Sequence, residues 1–109
     1  MAKHAVVGTG FEGRAGSIRK YCKVGMLVTL MREKNNNHDD NAIAVYITVK
    51  TLFGLIKSKH QIGYIRAAAA KKIAKRIDAG EKYSVFIDAI HAQEWKDSPD
   101  VTLDLKFIK

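Results

Sequence analysis

Residues 43 to 50 alternate without a break, Ile43, Val45, Ile47 and Val49 on one parity and Ala44, Tyr46, Thr48 and Lys50 on the other. A period of two sustained over that length describes a strand with one face in a core and the other against water. Residues 26 to 32 carry a second strand pattern, with Met26, Val28 and Leu30 on one face and Leu27, Thr29 and Met31 on the other. Between the two runs lies the densest polar stretch of the chain, from Arg32-Glu33 through three asparagines to His38, Asp39, Asp40 and Asn41. Asparagine and aspartate tolerate left-handed backbone and bond their own main chain, so this stretch is expected to be an ordered turn joining paired strands. Polar side chains held on a turn by rigid strands are well placed to recognise a ligand.

The rest of the chain adds further strands and one clear helix. Residues 4 to 9 read as a first strand, followed by Gly8, Gly10, Gly13 and Gly16, a density of glycine that favours tight turns or close backbone approach over a helix. Residues 52 to 65 are expected to form two short strands around the basic loop Lys57-Ser58-Lys59-His60. Residues 66 to 79 have helical periodicity, placing Ala69, Ala70, Ile73, Ala74 and Ile77 on one face and Lys71, Lys72, Lys75 and Arg76 on the other. Gly80 supplies the stop, and the late basic residues suit the negative end of the helix dipole. Strands near 82 to 90 and 101 to 108 complete the pattern, separated by a polar loop holding Trp95 and Pro99. Trp95 is expected to cover one end of the fold. Many short strands and one late helix make a mostly β (α+β) protein, most economically a small barrel that hides its own edges.

At 109 residues the chain is expected to be a single domain with a core of its own. It holds no apolar run long enough to span a bilayer and no signal-peptide pattern, so a soluble, cytoplasmic protein without a membrane partner is expected. The lone Cys22 excludes an internal disulfide and reads as a packed or half-buried thiol. The formal net charge is +8, and its distribution says more than its size. No acidic residue occurs from Asn41 to Ile77, where Lys50, Lys57, Lys59, Arg66, Lys71, Lys72, Lys75 and Arg76 all lie, while the charges of the two flanks cancel. One region is therefore basic, which favours a polyanionic partner, nucleic acid before membrane.

Several motifs look chemical and are not matched by their surroundings. Gly8-Thr-Gly10-Phe-Glu-Gly13 fits the dinucleotide fingerprint and Glu33 stands where a ribose-binding acid would. That fingerprint needs a helix directly after the glycines and alternating strand and helix units beyond, and neither is expected here. His38, Asp39 and Asp40 lack the alternating oxygen ligands of a calcium loop and the nitrogen or sulfur of a zinc site, so no metal or other cofactor is expected. No nucleophile elbow, P-loop lysine or recognisable pair of catalytic carboxylates occurs, and the chain is expected not to be an enzyme.

Taken in order, Val6-Val7-Gly8, Phe11, Leu30-x-Arg32-Glu33, Asn35-x-x-x-Asp39-x-Asn41-Ala42-Ile43-Ala44-Val45 and Ile62-Gly63-Tyr64-Ile65 opening an alanine-rich helix resemble the HIRAN domain. The likeness spans roughly residues 5 to 107 and is of the stand-alone bacterial or phage type. What it implies is an OB-like barrel of about six strands and a non-catalytic module for single-stranded DNA or other nucleic acid. It further implies recognition of free 3′ ends in a DNA repair or replication setting, with a helicase or nuclease as partner. Carried onto this chain, Asp39 accepts a hydrogen bond from the terminal hydroxyl, Phe11 is the aromatic that stacks on the last bases, Tyr64 is the pocket residue after the Ile-Gly pair, and His38 stands where relatives carry an aromatic ring.

Departures are Gly10 in place of a basic residue, Lys34 in place of proline, and the extra stretch Thr48 to Lys59. Independently of the resemblance, base stacking on aromatics needs a basic groove for the backbone. Lys71 and Lys75, one helical turn apart, form a candidate phosphate row, joined by Arg14 and Arg66. The alternative reading is a protein-interaction or self-association module whose basic surface is incidental. A magnesium-dependent nuclease built on Asp39 and Asp40 ranks behind both.

Overall fold

The computed structural model describes residues 2–11, 13–92 and 98–108. Trp95 lies outside the described residues, so its expected role at the end of the fold is not addressed. Six strands, β1 (Ala2–Val7), β2 (Thr29–Arg32), β3 (Ile43–Thr51), β4 (Ile56–Ile65), β5 (Lys82–His91) and β6 (Asp100–Ile108), form one antiparallel sheet. Its order is β2-β3-β4-β1-β6-β5. Helix α1 (Arg14–Tyr21) follows β1, and α2 (Ala67–Asp78) follows β4. The fold is mostly β, as the alternating runs imply.

The sheet curls until its two edges meet. Residues 25 to 28, which lead into edge strand β2, bond with edge strand β5: Gly25 N–H to Ile87 O at 2.7 Å, Ile87 N–H to Met26 O at 2.8 Å and Val28 N–H to Val85 O at 3.3 Å. Curling thus satisfies edge groups that would otherwise be open to another chain. It also explains why the second strand begins at Thr29 rather than at Met26, since the earlier residues pair across the gap and not with β3. Inside the curl lie Ile43, Val45, Ile47, Ile62, Ile87, Val101 and Leu103, all buried, joined by Ile18 from α1 and Ala70, Ile73 and Ala74 from α2. Each of the valine, leucine and isoleucine side chains contributes roughly 1.5–3 kcal/mol when fully buried. Cys22 packs against this core at intermediate exposure, and burial pushes its thiol up to about 11.

Two expectations from the sequence fail, both for want of an apolar pattern. Residues 14 to 21 are a helix despite Gly16, because a single side chain, Ile18, reaches the core and is 1% exposed. One buried residue in eight gives no amphipathic stripe, and tertiary packing overrides weak propensity. Residues 52 to 65 are not two strands around a basic loop: Lys57 to His60 belong to the long strand β4, and the turn is Leu52 to Leu55. Helix α2 matches its expected span, and its end is a Schellman motif, with Gly80 N–H bonding Ile77 O and Glu81 N–H bonding Arg76 O. None of the described helices is long and apolar enough to cross a membrane.

β1 joins the two halves of the sheet, yet it pairs with β4 only at Val6–Ile65 and Val7–Tyr64. Gly63 makes this contact possible. A Cβ there would stand 2.4 Å from the Val7 carbonyl oxygen and 2.6 Å from Val6 Cγ1, on a backbone with φ of 155°. Gly63→Ala is therefore expected to destabilise the fold by ~3 kcal/mol in urea denaturation, within the range of overpacking and strain combined. Gly16→Ala meets open space inside α1 and is expected to stabilise by about 0.5–1 kcal/mol in the same measurement.

Candidate nucleic-acid interface

The turn between β2 and β3 is built by its own side chains. Asn36 Oδ1 accepts from the backbone N–H groups of His38 at 2.8 Å and Asp39 at 3.2 Å, and Asp39 Oδ1 accepts from the Asn41 N–H at 2.8 Å. Arg32 braces the far end, Nη1 donating to the carbonyls of Ala42 at 3.0 Å and Asp40 at 3.2 Å. Its Nε and Nη2 grip Asp78 at the end of α2, both at 3.0 Å. Glu33 ties the turn to β4: its Oε1 accepts from Tyr64 Oη at 2.8 Å and from Asn36 Nδ2 at 2.9 Å.

These bonds bring distant residues to one concavity. A pocket of about 260 Å³ is lined by Val7, Asn36, His38, Asp39, Ala42, Tyr64, Ile65 and Ala67. His38, Asp39 and Tyr64 thus share one wall system, although Tyr64 lies two strands away in sequence. Asp39 does cap its turn, but through Oδ1 alone; Oδ2 accepts no hydrogen bond among the described residues. Arg14 is outside the lining but lies beside its Tyr64 wall, its guanidinium 5.5 Å from the Tyr64 ring centroid while Nη1 donates to Gly8 O at 2.9 Å.

The other candidates surround the pocket. Phe11 is outside the lining but sits on the Gly8 turn, bonded N–H to Gly8 O, with its ring 67% exposed. Arg66 is the exposed N-cap of α2, between the lining residues Ile65 and Ala67, and no side chain caps that end of the helix. The positive end of the α2 dipole therefore lies at the pocket wall. Lys71 and Lys75 are exposed one and two turns beyond Ala67, on a stripe that starts at the pocket. Arg76 pairs with Glu81 at 2.7 Å and stacks on Phe107, so it faces away from this row.

Three supporting residues escaped the sequence reading. Asn36 and Glu33 orient the turn and Tyr64, and Arg32 locks the turn to α2. Glu33 is in the very place that mimics a ribose-binding acid, and its oxygen is committed to Tyr64 and Asn36 instead. A helix does follow Gly13 directly, so that objection to the dinucleotide fingerprint falls. What remains is topology, because β1 pairs antiparallel with both its neighbours and no parallel β-α-β unit contains the glycines. No group of three or more histidine, cysteine or acidic side chains suited to a metal occurs among the described residues.

Comparison with known proteins is decisive at this point. The family model of the HIRAN domain matches residues 2–106. The chain belongs to the HIRAN family. HIRAN is a DNA-binding domain. Among solved structures, a protein from Lactobacillus plantarum superposes with a TM-score of 0.70 at 24% identity, covering 97% of this chain and 93% of that one. The HIRAN domain of human HLTF superposes with a TM-score of 0.68 at 20% identity, over 97% of this chain and 73% of that one. No curated protein matches the chain.

The Arg32–Asp78 bond has a pH signature. Chiefly through the hydrogen bond from Arg32, Asp78 is held below the ordinary carboxylate value. A depressed carboxyl contributes stability that is present above its unfolded pKa and lost as pH falls through the lower folded value. Asp78→Asn is expected to be less stable than the parent at neutral pH and to converge with it in acid, below about pH 4, when chemical denaturation is followed across pH.

Proposed function

We propose that this HIRAN domain is a non-catalytic module that seats the free 3′ end of single-stranded DNA, in DNA repair or replication, against Asp39. The supporting observation is the division of labour at that carboxylate. Oδ1 is spent on the Asn41 N–H, while Oδ2 is unclaimed in a pocket flanked by Arg14 and by Arg66 at the N-terminus of α2. A carboxylate repels phosphate and welcomes a hydroxyl donor, so within a polyanion it selects the one place where a hydroxyl replaces a phosphate. The cavity lies below the ~300 Å³ at which pockets begin to enclose drug-sized ligands, which suits one terminal unit of a chain.

In this arrangement the terminal 3′-hydroxyl donates to Asp39 Oδ2. Tyr64, fixed by Glu33, offers a ring to the last base, and His38 offers a second face. Phe11 stands ready for the preceding base. The phosphates nearest the terminus meet Arg14, Arg66 and the Lys71–Lys75 row, where stacking of about 1–3 kcal/mol per base combines with counterion release.

Fluorescence anisotropy with short oligonucleotides tests the reading. A 3′-phosphate is expected to weaken binding by about tenfold or more, since a hydrogen bond to a charged group contributes ~1.5–3 kcal/mol. Asp39→Asn keeps the acceptor for Asn41 and is expected to erase most of that preference. Equal affinity of the parent for both ends would remove end recognition. Replacing Lys71 and Lys75 together with alanine should weaken hydroxyl and phosphate ends alike and reduce the salt slope by about 1.4, the value for two single-strand phosphate contacts.

A further inference from the structure

The β3–β4 hairpin outruns the core. Val49 is the last buried residue of β3 and Ile62 the first fully buried residue of β4, and the span between them projects as a two-stranded arm. On one face of this arm Lys50 stands directly opposite Lys57, and Lys59 lies diagonally across, opposite Thr48. Like charges facing each other across an antiparallel pair are destabilising. None of the three has an ion-pair partner among the described residues. At the tip, Leu52, Phe53 and Gly54 take φ of 50°, 58° and 85°. Left-handed backbone is costly for leucine and phenylalanine. The phenylalanine stands fully outward, at 106% exposure, with Leu55 nearby at 84%.

The arm shares a face with the pocket. Register places Lys57 opposite Lys50, Lys59 opposite Thr48 and Gln61 opposite Tyr46, and then, after a bulge at Val45/Tyr46, Tyr64 opposite Ala44. Without that bulge Gln61 and Tyr64 would point to opposite sides of the sheet, because side-chain direction alternates along a strand. With it, Tyr64, Gln61, Lys59 and Lys57 line one continuous track from pocket to tip. Successive same-face residues rise ~6.7 Å, which spans about two stacked nucleotides of one strand.

We propose that the arm is a second single-stranded nucleic-acid contact, in which Lys59, Lys57 and Lys50 follow the phosphates of the strand leaving the pocket and Phe53 stacks on an upstream base. The position of the upstream base rests on the 3′-end reading above. From Tyr64 to Ile56 the strand rises roughly 26 Å, and a stacked strand covers that distance in about eight nucleotides. Affinity is therefore expected to keep growing with length up to about that size and then level off. Basic side chains with an aromatic at the end of the row are the combination that sequence-tolerant single-strand binders use.

The test is anisotropy with 3′-hydroxyl oligothymidylates of about 3 nucleotides, too short to reach Lys59, and about 12, long enough to reach the tip. The parent should bind the longer one at least tenfold more tightly. Phe53→Ser, at a position that packs on nothing, and the pair Lys57→Ala with Lys59→Ala should each cost about three- to tenfold on the longer oligonucleotide. Both should leave the shorter one, the 3′-end preference and the melting temperature unchanged. Unchanged binding of the longer oligonucleotide by both variants, with end preference intact, would overturn the arm and leave the pocket standing. An arm-dependent gain with length but no end preference would support the arm and sink the end reading. Phe53-dependent sedimentation with phosphatidylserine vesicles, or a Phe53-dependent dimer on gel filtration, with no oligonucleotide effect in either case, would overturn the proposal in favour of a lipid or a second copy.

Discussion

Gly63 carries the structure at its narrowest point. Two half-sheets, β2-β3-β4 and β1-β6-β5, are joined through β1 and β4 at two residue pairs, and there the backbone of Val7 comes closer to Gly63 than any side chain would permit. The bulge in β4 is the other half of the same device. It absorbs one residue between Gln61 and Gly63, so that the strand both reaches β1 and turns Tyr64 to the pocket side. The site, the arm and the closure of the sheet therefore share one cause, a glycine in a bulge.

Charge is organised around that junction rather than spread over the surface. Glu33 binds Tyr64 and Asn36, and Asp78 binds Arg32, so two of the acids nearest the pocket are consumed in holding it. The bonds to Tyr64 and from Arg32 join elements far apart in sequence. The exposed lysines, by contrast, have no such obligations: Lys71 and Lys75 on α2 and Lys50, Lys57 and Lys59 on the arm make no ion pair among the described residues. Acids that hold the frame and bases left unpaired give a positive field without a pocket that collapses on itself.

What could be read from the sequence follows from what periodicity measures, which is one-sided burial. β3 and β6 place their large buried aliphatic side chains at alternate positions, and α2 buries a stripe of alanine and isoleucine, so each was visible beforehand. Helix α1 buries only Ile18, and the outer half of β4 buries nothing, so neither left a pattern. The turn Leu52 to Leu55 carries Gly54 as its sole conventional turn residue, which is why a strand was expected where the chain reverses. The candidate site divides in the same way. Asp39 and His38 announced themselves as a polar cluster on a turn, whereas the role of Glu33 depends on a bond to Tyr64, 31 residues away, that only the strand register creates.

The acidic turn beside a basic track looks at first like a contradiction, because a carboxylate at the rim of a polyanion site weakens binding wherever it meets phosphate. Its position resolves the conflict. Asp39 stands at the closed end of the track, where α2 begins and β1 crosses β4, and the lysines run away from it in two directions, along the helix and along the arm. A strand lying across the site would bring a phosphate to Asp39 from either side. In the proposed seating, a strand that ends there brings a hydroxyl to the acid and directs its phosphates toward the lysines. In that seating, the same carboxylate that penalises the middle of a strand also penalises a 5′-phosphorylated end, which would carry its phosphate to the acid.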